Sequence, residues 1–354
     1  MGNSPMQALR LRVWRLGNCG LSLCIMGKFS REKHMPWIRI GCAALALAAL
    51  VYVFSQINLH ELAKALRSAR VGWLIATIAV YWFVLLPSAW RWHLALELTS
   101  CAVRFGTTLR MTLIGHLFYT LFFGVAGGDV AKSALYARRN RLPLPEVLAA
   151  APLDRLLGFG GLVIFIIASF ALAAANGAFS QFRPASLKLP ASWTALAVVL
   201  AAIFFIAWFV RRRSGHETAF GRLVLTFLKG WRRLVKSPRI LWQGLLCGLA
   251  VQLALAASLA FGLEAVSNSP VPWGRLIWTL PVISVASALP VNIAGMGLRE
   301  GAVLALLGLY GVSPADAVAA SLLTLLARLF WAGVGAAALW QRQPTEIVGK
   351  PVPG

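Results

Sequence analysis

The chain has 354 residues, of which 59% are hydrophobic and only 13% are charged, and its mean hydropathy is +0.74. In soluble domains roughly a quarter of the residues are charged, so this composition excludes an ordinary soluble enzyme or binding domain. The net charge of +23 does not indicate nucleic-acid binding, because the basic residues cluster in short segments beside apolar runs, as topology signals do. We therefore expect an all-α polytopic membrane protein.

Six apolar runs are predicted to be membrane-spanning helices, because each is long enough to cross a hydrocarbon layer roughly 30 Å thick. They lie at about 37–54, 72–90, 154–175, 191–210, 240–263 and 315–340. Two further apolar regions, about 105–137 and 276–312, are interrupted by glycine, proline and charge. We predict that each forms a pair of short helices, which gives about eight membrane segments in all.

Residues 35–341 are predicted to form the transmembrane domain, between a basic N-terminal extension, 1–34, and a C-terminal tail, 342–354. The extension is interpreted as cytoplasmic, or as the result of a start codon assigned upstream of Met35. The longest basic segment inside the domain, 211–239, carries apolar residues at helical spacing opposite a basic face. We predict that it includes an in-plane helix on the cytoplasmic membrane surface, suited to anionic headgroups.

The distribution of lysine and arginine predicts which loops face the cytoplasm. Basic residues concentrate in 1–39, 138–141 and 211–239, whereas 176–190 and 264–275 are nearly neutral. The N-terminus is therefore expected on the cytoplasmic side of the membrane. This arrangement makes the two interrupted regions re-entrant hairpins that enter the bilayer from opposite sides.

The two interrupted regions also match each other in sequence. The segment "AGGDVAKS" from Ala126 can be laid over "AGMGLREG" from Ala294, which places Lys132 on Glu300. Two residues of slippage later, "EVLAAA" falls on "DAVAAS". An odd number of spans, three, separates the two regions, which predicts an inverted repeat of the kind common in secondary transporters.

Ionisable residues at membrane depth are costly, which makes them candidate functional residues. The candidates are Asp129, Lys132, Asp154, Arg155, Arg299, Glu300 and Arg328. One alternative is that the Asp129–Lys132 and Arg299–Glu300 pairs only satisfy one another or cap helices. A second alternative places Asp154 and Arg155 as ordinary charges at the start of the predicted span 154–175, and a third has Arg328 merely pairing with an acid.

Glycines beside these charges predict where the short helices are broken. The candidate hairpin residues are Gly127, Gly128, Asn292, Gly295, Gly297 and Gly301. Glycine permits close backbone approach, and the free N–H groups of a helix N-terminus attract an anion. A phosphodiester headgroup carries such an anion, which the nearby arginine and lysine side chains would also hold. His93 and His116 flank predicted spans and are interpreted as interface residues.

Three motifs resemble those of the lysylphosphatidylglycerol synthase transmembrane, or flippase-like, family. They are "GVAGGD" at 124–129, "LDR" at 153–155 and "PVNIAGMGLREG" at 290–301, and the resemblance covers about residues 37–341. The first motif departs from the family pattern, which usually has glycine where Val125 and Ala126 stand here. In the family's best-known member such a domain moves an aminoacylated phospholipid across the bilayer, and a separate soluble domain synthesises that lipid. The resemblance here is to the flippase half, so it implies a stand-alone flippase-like protein.

These observations predict a protein that moves or binds a phospholipid, or a polyprenyl- or hopanoid-type lipid, through a central polar cavity. No cofactor, metal or nucleic acid is expected; besides lipid, the expected partners are a lipid-modifying enzyme or a glycosyltransferase. One alternative is a membrane-embedded transferase with Asp129 or Glu300 as general base. Another is a non-transporting partner that anchors a lipid-modifying enzyme. Catalysis ranks second because the sequence has no metal-ligand spacing, nucleophile elbow or Walker loop.

Overall fold

The computed structural model describes residues 67–120, 124–177, 219–267, 273–288 and 298–340, together with His60, Lys64 and Ala65. All regular structure in these residues is helical. In chain order the helices are α1 (Val71–Val80), α2 (Trp82–Leu98), α3 (Phe105–Phe118), α4 (Gly124–Asn140), α5 (Leu144–Ala175), α6 (Ala219–Lys236), α7 (Pro238–Val266), α8 (Trp273–Leu276), α9 (Thr279–Ala288), α10 (Leu298–Gly308) and α11 (Pro314–Trp340). The predicted spans 37–54 and 191–210 lie outside the described residues, as do the segments 1–34 and 342–354.

Four helical segments within the described ranges are long and apolar enough to cross a membrane. They are Val71–Leu98, Leu144–Ala175, Pro238–Val266 and Pro314–Trp340. Each coincides with a predicted span, so the prediction of a multi-pass membrane protein is confirmed. The first segment combines α1 and α2, which join at Tyr81, and it ends at Leu98 rather than at residue 90.

Helix α5 begins at Leu144, although the sequence predicted a start at residue 154. The helix thus contains Pro152, and proline inside a helix removes a backbone hydrogen bond and costs ~3 kcal/mol. In the structure Val147 and Leu153 are fully buried on either side of the proline, and their burial offsets this cost. The interpretation of Asp154 as a charge at the start of a span is therefore wrong.

Helices α3 and α4 form an antiparallel pair, the first hairpin. Gly115 on α3 lies against Lys132 on α4, and Tyr119 at the end of α3 lies against Gly128. Helix α3 has 14 residues, which at 1.5 Å per residue is about 21 Å and less than the roughly 30 Å of hydrocarbon core. The prediction that this region contains two short helices is confirmed.

Helices α9 and α10 form the second hairpin. Ile283 on α9 and Val303 on α10 share one buried cluster, and the indole N–H of Trp278 donates to the Tyr310 hydroxyl at 2.7 Å across the open end. With 10 and 11 residues, the two helices are about 15 and 17 Å long and cannot span the core individually.

The two hairpins open at opposite ends of the helix bundle, and helix α7 runs between those ends. The start of α7 follows α6, whose Arg233 donates to Leu98 O at 3.0 Å and Ser100 Oγ at 2.7 Å, beside the start of α3. The end of α7 lies beside the start of α1, where Arg70 N donates to Ala265 O at 2.9 Å, and α8 and α9 follow it. Hairpins of opposite orientation require this arrangement.

Helix α7 is also central to the packing, because it contacts α1, α2, α5 and α11. Its closest approach to α5 is at Gly248, where a side chain on the facing Gly161 would overlap the α7 backbone. Its approach to α11 is similar, since a Cβ added at Gly262 would lie 2.9 Å from Ala320 O. Small residues allow this backbone proximity, on which helix association in lipid depends.

Helix α6 (Ala219–Lys236) confirms the helical prediction for the basic segment. Leu234 is buried against the bundle, whereas Trp231 and Val235, on the adjoining apolar face, are 43% and 63% exposed. The basic residues occupy the remaining side of the helix. One apolar face thus packs on the protein and another stays accessible, which is consistent with the predicted in-plane position on a membrane surface.

Candidate functional site: two ionic clusters

The predicted charged residues gather in two groups, each on the second helix of a hairpin and the long helix that follows it, and Arg91 on α2 joins the first group. The first cluster comprises Arg91, Asp129, Lys132, Asp154 and Arg155. The second cluster comprises Arg299, Glu300, Ser321, Thr324 and Arg328.

In the first cluster, Asp154 on α5 forms a two-point ion pair with Arg91 on α2. Arg91 Nε donates to Oδ1 at 2.7 Å, and Arg91 Nη2 donates to Oδ2 at 3.2 Å. Both side chains are buried. Gly158, one turn after Asp154, leaves room for the guanidinium, because an added Cβ would lie 2.5 Å from Arg91 Nη1.

Asp129 on α4 has two cationic partners. Arg155 donates to Oδ2 from Nε at 3.0 Å and from Nη2 at 2.6 Å, while Lys132 Nζ lies 3.5 Å from Oδ1. The Lys132 ammonium also lies 4.1 Å from the centroid of the Trp92 ring, a cation–π contact. The alternative in which Asp129 and Lys132 satisfy only one another is therefore wrong, because Arg155, with a side chain 50% exposed, is the closer partner.

In the second cluster, Arg299 and Glu300 at the start of α10 both face α11. Arg299 Nη2 donates to Thr324 Oγ1 at 2.5 Å, and Ser321 Oγ donates to Glu300 Oε1 at 2.8 Å. Arg299 Nη1 and Glu300 Oε1 are 3.6 Å apart, and both residues are buried. The hydroxyl groups of α11 therefore hold the pair in addition to the attraction between its members.

Arg328, two helical turns after Ser321 on α11, brings a second cation to this cluster. It is buried and donates a hydrogen bond to the Tyr81 hydroxyl at the junction of α1 and α2. It is close enough to Arg299 for the two guanidinium groups to repel each other. Within the described residues, Arg299 and Arg328 both interact with one acid, Glu300. The alternative in which Arg328 merely pairs with an acid therefore does not describe the cluster.

Tyr119 links the two clusters. A Cβ added at Gly128, the residue before Asp129, would lie 3.0 Å from Tyr119 Cβ, so the tyrosine packs directly on the first cluster's helix. Its ring stacks on that of His116, with the centroids 6.0 Å apart, and the His116 ring lies 5.5 Å from that of Tyr81, the hydrogen-bond partner of Arg328. The two clusters therefore approach each other across the tip of the first hairpin.

The interpretation of His93 and His116 as interface residues is wrong. His93 is buried, and its Nδ1 lies 3.1 Å from Thr108 Oγ1 on α3. His116 is also buried, with its ring centroid 5.5 Å from that of Tyr81. Both are covered because α3 packs against α2, α4 and α11, contacts that the position of a residue along one span does not reveal.

The predicted hairpin glycines have different roles. Gly127 and Gly128 lie inside α4, which begins at Gly124, so they do not form the turn itself. Gly128 does permit a close approach, to Tyr119, whereas an added Cβ at Gly301 would meet nothing within 4 Å. Asn292, Gly295 and Gly297 lie outside the described residues.

Sequence reasoning missed Arg91, Tyr81 and Tyr119. Arg91 lies one residue beyond the predicted span 72–90, although the mostly apolar segment "LALEL" that follows, 94–98, is a signal that the helix continues. The two tyrosines gave no signal, because single tyrosines in an apolar run are typical of membrane helices.

Comparison with known families places both clusters inside one recognised unit. The family model described as the lysylphosphatidylglycerol synthase TM region matches residues 38–335, which include both hairpins and both clusters. A comparison with curated proteins gave no match. The protein belongs to the family of lysylphosphatidylglycerol synthase transmembrane regions, as the three sequence motifs implied.

Proposed function

We propose that this membrane protein binds a lipid headgroup between the two ionic clusters and moves it from one leaflet of a bacterial inner membrane to the other. The observation that carries the proposal is that two ionic clusters, the second buried and the first partly exposed at Arg155, approach each other at Tyr119, on hairpins that open at opposite ends of the bundle. Buried ion pairs contribute little to stability compared with apolar packing. Ionisable groups at membrane depth are therefore better explained by a function.

The charge balance of the site supports an anionic headgroup. Among the described residues, the first cluster has three cations and two acids, and the second has two cations and one acid. Each cluster thus has one excess positive charge, which a phosphate group would neutralise. The acyl chains would remain in the bilayer while the headgroup occupies a polar cavity between the hairpins.

Movement would follow from the short length of the hairpin helices. In the proposed mechanism the two hairpins are re-entrant halves of an inverted repeat, and the N-terminus is cytoplasmic. Shifting the first hairpin against α5 would separate Asp129 from Arg155, and shifting the second against α11 would separate Arg299 from Thr324. The headgroup would replace these lost partners, first from one side of the membrane and then from the other.

The transferase alternative receives less support from these contacts. A general base needs an oxygen free to accept a proton from the substrate. Both carboxylate oxygens of Asp129 face cations, and Glu300 accepts from Ser321. We therefore favour binding and movement of lipid over group transfer.

A transport assay tests the proposal. Purified protein is reconstituted into liposomes that contain fluorescent phosphatidylglycerol, phosphatidylethanolamine or a polyprenyl phosphate, and dithionite quenching reports movement between leaflets. We expect faster movement of at least one lipid than in protein-free liposomes, and a loss of about tenfold in rate for Glu300→Gln, an effect equivalent to ~1.4 kcal/mol. Glu97→Gln, at a side chain 44% exposed, is the control and should match the wild type. Movement at the protein-free rate for every lipid would refute the proposal.

A further inference from the structure

Three buried polar atoms without a hydrogen-bond partner among the described residues lie on α3 and α11 beside the second cluster. They are Arg328 Nε, His116 Nε2 and Thr120 Oγ1. Their residues are 8%, 9% and 7% exposed, so bulk water does not supply the missing hydrogen bonds. Buried polar groups in proteins are almost always hydrogen-bonded, and a group of unpaired ones indicates a ligand site.

These three atoms belong to one neighbourhood. His116 and Thr120 are one helical turn apart on α3 and therefore lie on the same face. The charge of Arg328 acts directly on His116 and on the phenol of Tyr119. Tyr81 also belongs to this group. Its ring centroid lies 5.5 Å from that of His116, and its hydroxyl accepts a hydrogen bond from Arg328.

The chemistry of this neighbourhood is that of an oxyanion site. Arginine donates through Nε and its terminal nitrogens in a planar fork that matches two phosphate oxygens. The hydroxyl of Thr120 adds a further donor, as does the imidazole of His116 in the tautomer that carries its proton on Nε2. Arg299 and Arg328 together with Glu300 leave one positive charge, which a phosphate neutralises and a neutral hydroxyl group does not.

The first cluster is different, because its charges already have partners. Arg91 and Asp154 bond at two points, and both oxygens of Asp129 face cations. A ligand phosphate would have to compete with these carboxylates. The first cluster is therefore suited to hold the hairpin against α5, and the second to bind an anion.

We infer that the second cluster, and not the first, binds the phosphate group of the lipid, through Arg328, His116 and Thr120. This inference rests on the proposed function, because it assigns the headgroup of the same lipid to one of the two clusters. It makes these three residues the ones that determine affinity for the phosphate group.

A binding experiment on the full-length protein in detergent tests the inference without requiring transport. The thermal unfolding midpoint is measured against increasing phosphatidylglycerol, a polyprenyl phosphate, bacteriohopanetetrol as a hopanoid without phosphate, or inorganic phosphate. We expect stabilisation by at least one phosphate-bearing lipid and none by bacteriohopanetetrol. Arg328→Gln should weaken the apparent affinity by about tenfold or more, since a charge-assisted bond is lost.

Two further variants keep the result interpretable. Arg328→Lys keeps the charge but loses the fork, and should give an intermediate affinity even if Arg328→Gln fails to fold. Arg67→Gln, at an exposed position outside α6 and both clusters, should bind lipid as the wild type does.

Three results would overturn the inference. They are equal stabilisation by bacteriohopanetetrol, unchanged affinity in both Arg328 variants, or inorganic phosphate acting as strongly as the lipids, which would assign the site to a soluble anion. Transport with unchanged affinity in the Arg328 variants would refute the inference alone. Arg328-dependent binding without movement of any lipid would refute the proposed transport alone.

Discussion

Arg91 and Asp154 show how a bilayer protein accommodates charges inside its helix bundle. Removing two ions from water costs several kcal/mol for each, and their attraction offsets this cost only when the geometry is good. Here the pair has two hydrogen bonds, at 2.7 and 3.2 Å, and Gly158 provides the space for the guanidinium. Loss of either partner leaves an uncompensated buried charge, whereas replacement of both does not.

This asymmetry predicts the stability of variants at Asp154. Asp154→Asn should lower the free energy of unfolding by ~3–5 kcal/mol, because Arg91 then stays buried without its counter-ion. The measurement is the apparent unfolding temperature of the purified protein in detergent. The double variant Arg91→Met/Asp154→Leu should recover most of the loss. Glu97→Gln, at a side chain 44% exposed, should melt within experimental error of the wild type.

If Asp154→Asn unfolds at the wild-type temperature, the ion pair does not contribute to stability as described. If the double variant is as unstable as Asp154→Asn, the loss comes from the packing of α5 rather than from an unpaired charge.

At the level of elements, α3 of the first hairpin is held between its partner α4 and the long helix α11 by close helix packing. A side chain on Gly335 of α11 would overlap the carbonyl oxygen of Leu113 on α3. Two residues earlier, Gly333 has no atom within 4 Å of an added Cβ. The same helix therefore carries one glycine at a tight interface and one that faces open space.

This contrast predicts opposite results for two matched substitutions. Gly335→Ala should destabilise the protein by ~1–3 kcal/mol, because α11 and α3 must separate to admit a methyl group. Gly333→Ala should be neutral, or stabilising by up to ~1 kcal/mol, because alanine favours the helix. Unfolding temperatures of both variants, measured side by side, check the prediction. Equal temperatures for the two would show that α3 and α11 do not pack as closely as the structure indicates.

At the scale of the whole molecule, helix α7 runs from one end of the bundle to the other, so other segments can be assigned to an end by which end of α7 they lie beside. The loop between α4 and α5, which contains Arg141, and the basic helix α6 lie at the end where α7 begins. The loop between α10 and α11, which contains Ser313, lies at the end where α7 finishes, because the second hairpin opens there. The order of helices therefore assigns exposed residues to opposite faces of the membrane.

Cysteine labelling checks this assignment. In a variant without the natural cysteines, Arg141→Cys and Lys229→Cys should react with a membrane-impermeant maleimide from one side, and Ser313→Cys only from the other. All three positions are exposed in the structure. Intact cells and inverted vesicles provide the two sides, and the proposed orientation places Ser313 outside. Labelling of all three from the same side would contradict the arrangement of the hairpins.

The sequence alone was sufficient for the class of protein and for much of its outline. Four predicted spans and both helix pairs are present in the described residues, because hydropathy and helix breaking depend mainly on residue type. Helix ends were less accurate. Pro152 would interrupt an isolated helix and Arg91 interrupts an apolar run, but packing against neighbouring helices keeps both inside α5 and α2.

The sequence by itself determined that this chain crosses a membrane and which charged residues are unusual there, since the cost of burying a charge in lipid follows from its chemistry. Only the tertiary structure decided their partners. Arg91 and Asp154 are 63 positions apart, and Arg299 and Thr324 are 25 apart. Such pairs depend on how each helix is rotated and how closely it approaches its neighbour, which is a property of the packed helices together.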